Sequence, residues 1–232
     1  MQCRSAAVAA AAFLAVLIMG CGGGGGGGHR AEPGAVPKDE AYMPLAVGNR
    51  WVYEYRVPQI NTAQDSEEPI PDHSTRTVIG TTEIDGKEWY EVEMIEWAAE
   101  LGQEHPIDVF HHWFRETDEG VYLWHSTLRK PILWLKKPPR LDDHWAGIGP
   151  WGDGYDWFVQ STEDTITVPY GTLEGCVRIL EQEPEDPEAG VRHEYLRWFK
   201  KGIGMVAEQY WHIPNDPQGP WDETALIECT IK

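Results

Sequence analysis

Histidines and acids that could bind a metal crowd one short segment of the chain. Its members are Glu104, His105, Asp108, His111, His112 and His125. On a strand, His111 and His112 point to opposite faces, so only one of them joins any cluster. His111 can meet His125 across a hairpin, and with a carboxylate the pair would suit a metal ion. The spacing shows no full ligand set and no HExxH motif. We therefore expect surface histidines and no metal or other cofactor, with His111 and His125 as the candidates if a metal is bound.

Patterns for catalysis are sparse. Asp142-Asp143-His144 is read either as a polar turn or as a general acid–base group. The chain has no GxSxG motif and no phosphate-binding loop, although its many carboxylates leave an enzyme open. We therefore leave enzymatic activity undecided and favour a protein without it.

Aromatic residues give a second candidate site. The chain has twelve Trp, and four aromatic residues fall in one glycine-rich segment: Trp145, Trp151, Tyr155 and Trp157. Aromatic side chains in loops stack on sugar rings or enclose an apolar ligand, so these four are candidates for a ligand groove. The alternative is that they fill the core of a small β domain.

The N-terminus predicts export and lipidation. Residues 1–20 have one early Arg and then the uncharged run Ser5–Met19, which is shorter than the ~20 residues of a membrane-spanning helix. The run ends in Ile18-Met19-Gly20-Cys21, which resembles the bacterial lipobox. That resemblance implies cleavage before Cys21 and acylation of its thiol. An ordinary signal peptide or a retained anchor is the alternative.

Residues 21–40 then form the lipidated cysteine and a glycine-rich tether to one β-rich domain, residues 41–232. Gly22 and Gly23 follow the cysteine, and by resemblance to sorting in two-membrane bacteria this favours the outer membrane, facing the periplasm or the cell surface. The formal charge of −19 argues against nucleic acid as a partner. The expected partners are the membrane, through the lipid, and a glycan or an envelope protein.

Two cysteines remain in the exported domain, Cys176 and Cys229. Exported proteins favour disulfides, so we predict a Cys176–Cys229 bond. Closing so long a loop would stabilise the fold by about 4 kcal/mol in the chain-entropy model. The alternative is two separate buried thiols.

The elements that must position these residues are strands. Short aromatic and β-branched runs alternate with turn signals such as Asp85-Gly86, and no stretch longer than a possible turn at Glu96–Gln103 has helical periodicity. We predict an all-β, mainly antiparallel fold of about ten strands, as a curved sheet, half-barrel or barrel, with little helix beyond the signal peptide. Asn61–His73 and Gln182–Gly190 are predicted loops.

The sequence also holds a faint internal repeat. Pro44–Trp51 and Pro138–Trp145 each place a Pro seven residues before a Trp, with Asn49 and Asp143 at matching turn positions. So few matches leave duplication and coincidence equally open.

Short motifs spread over residues 42–231 resemble a group of uncharacterised bacterial lipoproteins whose domain opens with Pro-Leu-x-x-Gly-Asn-x-Trp-x-Tyr. The matching pieces are Pro44 to Tyr53, Gly86-Lys87-Glu88-Trp89-Tyr90, Thr117 to Tyr122, Val168 to Leu173, and Gly202-Ile203-Gly204-Met205-Val206. The resemblance implies an exported β-rich domain, and it supplies no catalytic residues.

Two functions are compatible with these features. The first is a lipid-anchored envelope lipoprotein whose non-catalytic β domain serves in binding or envelope organisation. The alternative is a hydrolase that acts on envelope polymers or glycans. Two carboxylates that converge in an aromatic cleft would favour the hydrolase, whereas scattered acids and a filled interior would favour the binding protein.

Overall fold

One antiparallel sheet of twelve strands makes up the domain. The computed structural model describes residues 39–56, 72–100, 103–148, 154–184, 192–213, 220 and 222–232. The strands are β1 (Arg50–Arg56), β2 (His73–Ile84), β3 (Lys87–Glu100), β4 (Gln103–Glu116), β5 (Gly120–His125), β6 (Lys130–Lys136), β7 (His144–Ile148), β8 (Gly154–Val168), β9 (Gly171–Gln182), β10 (Arg192–Lys200), β11 (Gly204–Ile213) and β12 (Asp222–Thr230). The predicted all-β class is confirmed. Within the ranges given, no helix is long and apolar enough to cross a bilayer.

The sheet consists of two six-stranded meanders. The strand order is β6-β5-β4-β3-β2-β1-β12-β11-β10-β9-β8-β7, so each strand neighbours the next in sequence and β1 pairs with β12. The pairing of β1 with β12 joins the first meander, β1–β6, to the second, β7–β12. Strands β6 and β7 are the edges, so the sheet is open and the barrel among the predicted alternatives is not formed.

Three local predictions differ from the structure. Strand β7 was not predicted, because its five residues include Gly147, which weakens the strand pattern. Glycine is needed there, since a Cβ at 147 would lie 2.7 Å from the ring of Trp157. The runs Tyr155–Gln160 and Thr165–Val168, predicted as two separate strands, are parts of the single strand β8. Of the turn proposed at Glu96–Gln103, residues 96–100 are the end of β3 and Gln103 begins β4, while residues 101–102 lie outside the described residues. Residues 57–71 and 185–191, which hold most of the two predicted loops, lie outside the described residues.

The sheet curls until its two halves face each other. The ring of Trp134 on β6 meets Phe199 on β10 edge to face, with centroids 5.2 Å apart. The indole of Trp145 on β7 donates a hydrogen bond to the carbonyl of Leu133 on β6, at 3.0 Å. This bond ties one edge strand to the other without closing the hydrogen-bonded ladder.

The concave face holds the core. Its largest fully buried side chains include Trp51, Tyr53 and Phe199. The Tyr53 hydroxyl donates to the Met205 carbonyl at 3.0 Å, which satisfies the polar end of a buried ring. Most of the interior is therefore filled by aromatic and branched side chains.

The first meander begins with a hydrogen-bonded turn. The amide of Gly48 donates to the carbonyl of Val78 at 2.7 Å, and the amide of Val78 donates to the carbonyl of Asn49 at 2.9 Å. The amide of Asn49 donates to Ala46 at 2.9 Å. Gly48 has a φ of 88°, a left-handed conformation that glycine adopts at low cost.

The second meander begins with the same turn. The amide of Asp142 donates to the carbonyl of Val159 at 3.0 Å, and the amide of Val159 donates to Asp143 at 2.9 Å. The amide of Asp143 donates to Arg140 at 3.0 Å, and Asp142 has a φ of 66°. The faint sequence repeat therefore corresponds to a repeated local structure, which favours duplication over coincidence.

The segment before β1 packs against the end of the curled sheet. Tyr42 and Met43 are buried, and their amides donate to the two carboxylate oxygens of Glu116, at 2.9 and 2.8 Å. Lys137 also donates to Glu116, at 2.7 Å. Because the Glu116 side chain is only 5% exposed, these three donors are what compensate for its lost hydration.

The predicted disulfide is not formed in the structure, where Cys176 and Cys229 are separate thiols. They lie on β9 and β12, with β10 and β11 between them in the sheet. The Cys176 thiol is buried and donates to the Leu173 carbonyl at 3.6 Å. Burial raises the pKa of Cys176, and the Tyr170 hydroxyl is hydrogen-bonded to Cys229. The alternative of two separate thiols matches this arrangement.

Replacing Glu116 tests how firmly the N-terminal segment is held. In Glu116→Gln, one of the two oxygens becomes an NH₂ group, which cannot accept from the backbone amide that it faces. Lys137 also loses its charged partner. We expect a loss of about 3 kcal/mol in the free energy of unfolding, measured by urea denaturation. The control Glu228→Gln breaks an exposed pair with Arg50 (3.7 Å) and should cost less than about 0.5 kcal/mol. Equal costs for both variants would contradict this account.

Candidate functional site

The antiparallel order gives the sheet two different ends. Residues 39–49 and the turns that follow the even-numbered strands lie at one end, which we call the base. The odd-numbered strands finish at the other end, which we call the mouth. The base is closed by buried side chains such as Met43, and the mouth combines buried residues such as Tyr155 and Glu181 with the half-buried Tyr195, Tyr210 and Asp222. A ligand that reaches the interior face would meet these half-buried residues first.

A row of directly opposed residues crosses the concave face near the mouth, and we call it the aromatic row. Its members, in order across β7 to β12, are Trp145, Trp157, Glu181, Tyr195, Tyr210 and Asp222. Directly opposed residues of antiparallel strands share a face and contact each other. The Tyr195 and Tyr210 rings stack with centroids 4.7 Å apart, and the Trp145 and Trp157 rings are parallel at 6.2 Å.

The inner half of the row is formed by Trp145, Trp157 and Glu181, and it includes two of the aromatic residues named as a candidate ligand groove. Tyr155 lies beside them, with the Tyr155 and Trp157 centroids 6.0 Å apart, while Trp151 lies outside the described residues, so the groove stays a prediction. Tyr155 and Trp157 are 3% and 1% exposed, so this half belongs to the core, as the alternative interpretation held. Two buried atoms here have no hydrogen-bond partner, the indole nitrogen of Trp157 and Oε1 of Glu181.

A buried arginine lies on the same face as the row, two residues farther along β10 from Tyr195, toward the base. Arg197 donates to the carboxylates of Glu181 and Glu208, and its guanidinium lies 4.8 Å from the centroid of the Tyr195 ring. Burial opposes ionisation of Glu208, but Arg197 and Arg76 outweigh it and lower the pKa of Glu208. Glu208 is therefore a paired anion, and the hydrogen bonds to Glu181 and Glu208 hold Arg197 under the ring of Tyr195.

The outer half of the row is accessible and polar. The hydroxyl of Tyr55 on β1 donates to Oδ2 of Asp222 at 3.0 Å. Burial raises the pKa of Asp222 to about 6, and Glu208, Glu223 and Glu96 add to the effect, while the Tyr55 hydrogen bond opposes it. The Asp222 carboxyl group therefore ionises close to neutral pH.

The first meander contributes carboxylates to the same mouth. Glu96 on β3 and Asp108 on β4 are directly opposed, and Glu96 shares a row with the core residue Tyr53 through Ser74. Burial, and then repulsion by Asp108, raise the pKa of Glu96, although Arg76 lowers it. The two meanders thus bring acids together at the mouth.

Two further polar groups face the interior from the first meander. The Arg76 guanidinium lies 4.7 Å from the centroid of the Tyr53 ring, and Nη1 contacts Sδ of Met205 at 3.8 Å. Burial, with the nearby charges of Arg76 and His111, lowers the pKa of His112 to about 4. His112 is therefore neutral at pH 7 and does not act as a cation.

The histidine pair considered from the sequence is not brought together. His111 lies on the exposed face and bonds Glu91 at 2.9 Å, whereas His125 is buried and accepts from the amide of Leu128 at 3.1 Å. The register pairs Phe114 with Leu123, so His112, not His111, shares a face with His125. Over the part of the chain that is described, no three His, Cys, Asp or Glu side chains are grouped to hold a metal ion.

The polar turn at residues 142–144 has a structural role. Asp143 accepts from Lys136 and from the Arg140 amide, both at 2.9 Å, which lowers the pKa of Asp143. His144 is exposed and bonds Asp156 at 2.9 Å. The turn lies at the base, far from the acids of the mouth.

Sequence reasoning missed the accessible half of the site. Tyr195, Tyr210 and Asp222 belong to predicted strands or their flanks, yet nothing local shows that they are neighbours. Neither β10 nor β11 alternates regularly between apolar and polar residues, so no local pattern assigns Tyr195 and Tyr210 to one face. Which strands pair is likewise not encoded locally.

Comparison with solved structures supports the fold. A "putative lipoprotein" from Parabacteroides distasonis aligns with 12% identity and a TM-score of 0.51, over 82% of this chain and 98% of that one. A "putative exported protein with YmcC-like fold" from Bacteroides fragilis aligns with 11% identity and a TM-score of 0.51, over 81% and 98%. No protein-family model and no curated protein matches the sequence. At such identities the likeness concerns the fold.

The raised pKa of Asp222 predicts a stability that depends on pH. The folded state holds the proton up to about pH 6, so this stabilisation is present below pH 4 and is lost as the pH rises through 6. Asp222→Asn removes the charge and keeps an acceptor for Tyr55. We expect this variant to be more stable than the wild type by about 1–2 kcal/mol at pH 8, after discounting for partial exposure, and equal to it at pH 4.

Chemical denaturation across pH 4–8 measures that difference. The matched control is the exposed Glu88→Gln, which removes one carboxylate without touching the mouth. Its stability should follow the wild type within about 0.5 kcal/mol at each pH. A lower stability of Asp222→Asn at pH 8 would contradict the assignment.

Proposed function

We propose that this protein is a lipid-anchored, non-catalytic binding protein of the bacterial cell envelope, whose mouth binds a glycan. The observation that carries the proposal is the accessible half of the aromatic row, where Tyr195, Tyr210 and Asp222 lie side by side. The lipobox at Cys21 supports the anchor. We assign the outer membrane, facing the periplasm or the cell surface, on the Gly residues that follow Cys21.

The arrangement of the two ends suits an anchored receptor. The described chain begins at Asp39, and Ala41 is bonded at the base by the Gly202 amide, at 2.8 Å. A lipid on Cys21 therefore joins the domain at the base, which leaves the mouth accessible. One of the two similar solved structures is described as a "putative lipoprotein" and the other as a "putative exported protein", which supports a location in the cell envelope.

The groups at the mouth suit hydroxyl-rich ligands. The half-buried Tyr195–Tyr210 stack gives an apolar ring edge that a sugar can contact, and the carboxylates of Asp222 and Glu96 accept hydrogen bonds from hydroxyl groups. The unpaired Oε1 of Glu181 lies farther inward on the same row. The surplus of carboxylates repels anionic sugars, so the proposed ligand is a neutral or amine-bearing glycan.

A second candidate, a glycoside hydrolase, is favoured by one observation. Glu96 and Asp222 come from opposite meanders, interact electrostatically, and both have raised pKa values. A carboxyl group that keeps its proton near neutral pH is what general acid catalysis requires. Two carboxyl groups on the interior face, of which Glu96 raises the pKa of Asp222, would favour a hydrolase if a substrate fits between them.

Binding is tested by calorimetry on the full-length protein with three probes: oligomers of N-acetylglucosamine, glucosamine and glucuronic acid. We expect the first two to bind and the third not to bind. Tyr210→Ala removes one stacking surface and should weaken binding about tenfold. Tyr122→Ala is the matched control. Tyr122 lies near the start of β5, at the base, so this variant should bind like the wild type. Equal losses in both variants, or a preference for glucuronic acid, would count against the mouth as the site.

The release of new reducing ends separates the two candidates. A binding protein leaves the bound oligomers intact over long incubation. A hydrolase cleaves them, and both Glu96→Gln and Asp222→Asn would abolish cleavage while binding persists. Cleavage that survives in both variants would exclude this pair of acids.

The anchor has its own test. Cys21→Ala removes the acylated sulfur, so metabolic labelling with palmitate should be lost and the protein should leave the membrane fraction. Cys229→Ala is the control, since it changes a cysteine of the folded domain and should keep both properties. A Cys21→Ala variant that remains labelled and membrane-bound would overturn the anchor.

A further inference from the structure

Two turns at the base present large apolar side chains to solvent. Val47 is 52% exposed and Leu141 is 60% exposed, the highest values among the exposed large hydrophobic residues of the described chain. Turn tips favour Gly, Asn, Asp and Ser, so neither residue is required by its turn. Their exposure needs another explanation.

The two residues occupy equivalent positions in the repeated turn. Val47 precedes Gly48 in the first turn, and Leu141 precedes Asp142 in the second. Gly48 and Asp142 each have a positive φ. Both turns are held by the same set of three backbone hydrogen bonds, described above. Each apolar side chain is therefore carried on a rigid tip, and both tips lie at the start of an odd-numbered strand, at the base.

The chain enters the domain at this same end. Lys201 bonds Glu40 at 2.7 Å, so residues 40–41 are fixed at the base. Cys21 lies 18 positions before Asp39, and a chain of that length spans at most about 60 Å. A lipid on Cys21 therefore limits the base to within about 60 Å of the bilayer, and contacts of the base itself must set the orientation.

Basic side chains accompany the tips. Leu141 lies between the exposed Arg140 and the exposed Asp142, and the Lys232 ammonium group lies beside Gly48, where an added Cβ would be 2.2 Å from it. Long basic side chains beside apolar residues suit the boundary between acyl chains and phosphate groups. This pairing occurs at both tips, although the chain as a whole is strongly acidic.

We propose that Val47 and Leu141 insert into the surface of the bilayer that holds Cys21, so that the base rests on lipid and the mouth faces away from it. The inference rests on the proposed lipid anchor and adds to it a fixed orientation. Two side chains are too few to bind a membrane alone, so the lipid supplies the attachment and the tips set the direction of the domain.

Site-specific photo-crosslinking tests the contact. A benzophenone amino acid replaces Val47, Leu141 or, as the control, Leu128 in the full-length lipidated protein. Leu128 is 41% exposed in the β5–β6 turn at the mouth. The protein is reconstituted in vesicles of phosphatidylethanolamine and phosphatidylglycerol, and intact mass reports the adduct. We expect phospholipid adducts at 47 and 141 and none at 128.

Flotation of the same samples separates failure of the contact from failure of the anchor. Floating protein with equal adducts at all three positions, or with adducts to a second copy at 47 and 141, overturns the tip contact and leaves the anchor intact. Protein that does not float overturns both.

A second variant keeps the test independent of the probe. Val47→Asp with Leu141→Asp changes only exposed side chains, so the fold should persist. The tips would be repelled from the bilayer, and amide hydrogen exchange on vesicles should show loss of protection in both turns while flotation is kept. Leu128→Asp should leave that protection unchanged. Protection that survives the double substitution would overturn the proposal.

Discussion

The pairing of β1 with β12 is the constraint on which the rest of the structure depends. It joins two meanders whose members lie far apart in the chain, which carries a large entropic cost of loop closure. That ladder directs both halves of the sheet toward a shared interior. Through it, Tyr55 of the first strand reaches Asp222 of the last, and Glu96 and Asp222 face the same mouth.

The two ends of the curled sheet use polar groups for different purposes. At the base, Glu116 receives three donors and fixes the segment that enters the domain. Toward the mouth, Arg197 pairs two carboxylates beneath the ring of Tyr195, while Asp222 stays only partly compensated. Buried ion pairs seldom add net stability, and an uncompensated acid reduces it. Such groups are typical of a surface selected for binding or chemistry, which agrees with placing the site at the mouth.

Local patterns predicted much of the architecture. Short aromatic and β-branched runs identified strands, and Asp85-Gly86 identified a hairpin, because side-chain direction and turn conformation depend on neighbouring residues. The short edge strand β7 was missed because Gly147 weakens its pattern, although the ring of Trp157 requires a glycine there. The disulfide prediction used only the compartment and the count of cysteines. It contained no information about the two strands that separate Cys176 from Cys229.

By itself the sequence determined the all-β class, most strand positions, the proposed lipid attachment at Cys21 and the aromatic character of the interior, because each depends on residues that are close together in the chain. Only the tertiary structure decided that Trp157, Glu181, Tyr195, Tyr210 and Asp222 form one row, and that Val47 and Leu141 lie at the same end. The physical reason is register. A hairpin sets the register of its own two strands, whereas the β1–β12 pairing and the curl of the sheet arise from contacts between distant segments that no local pattern encodes.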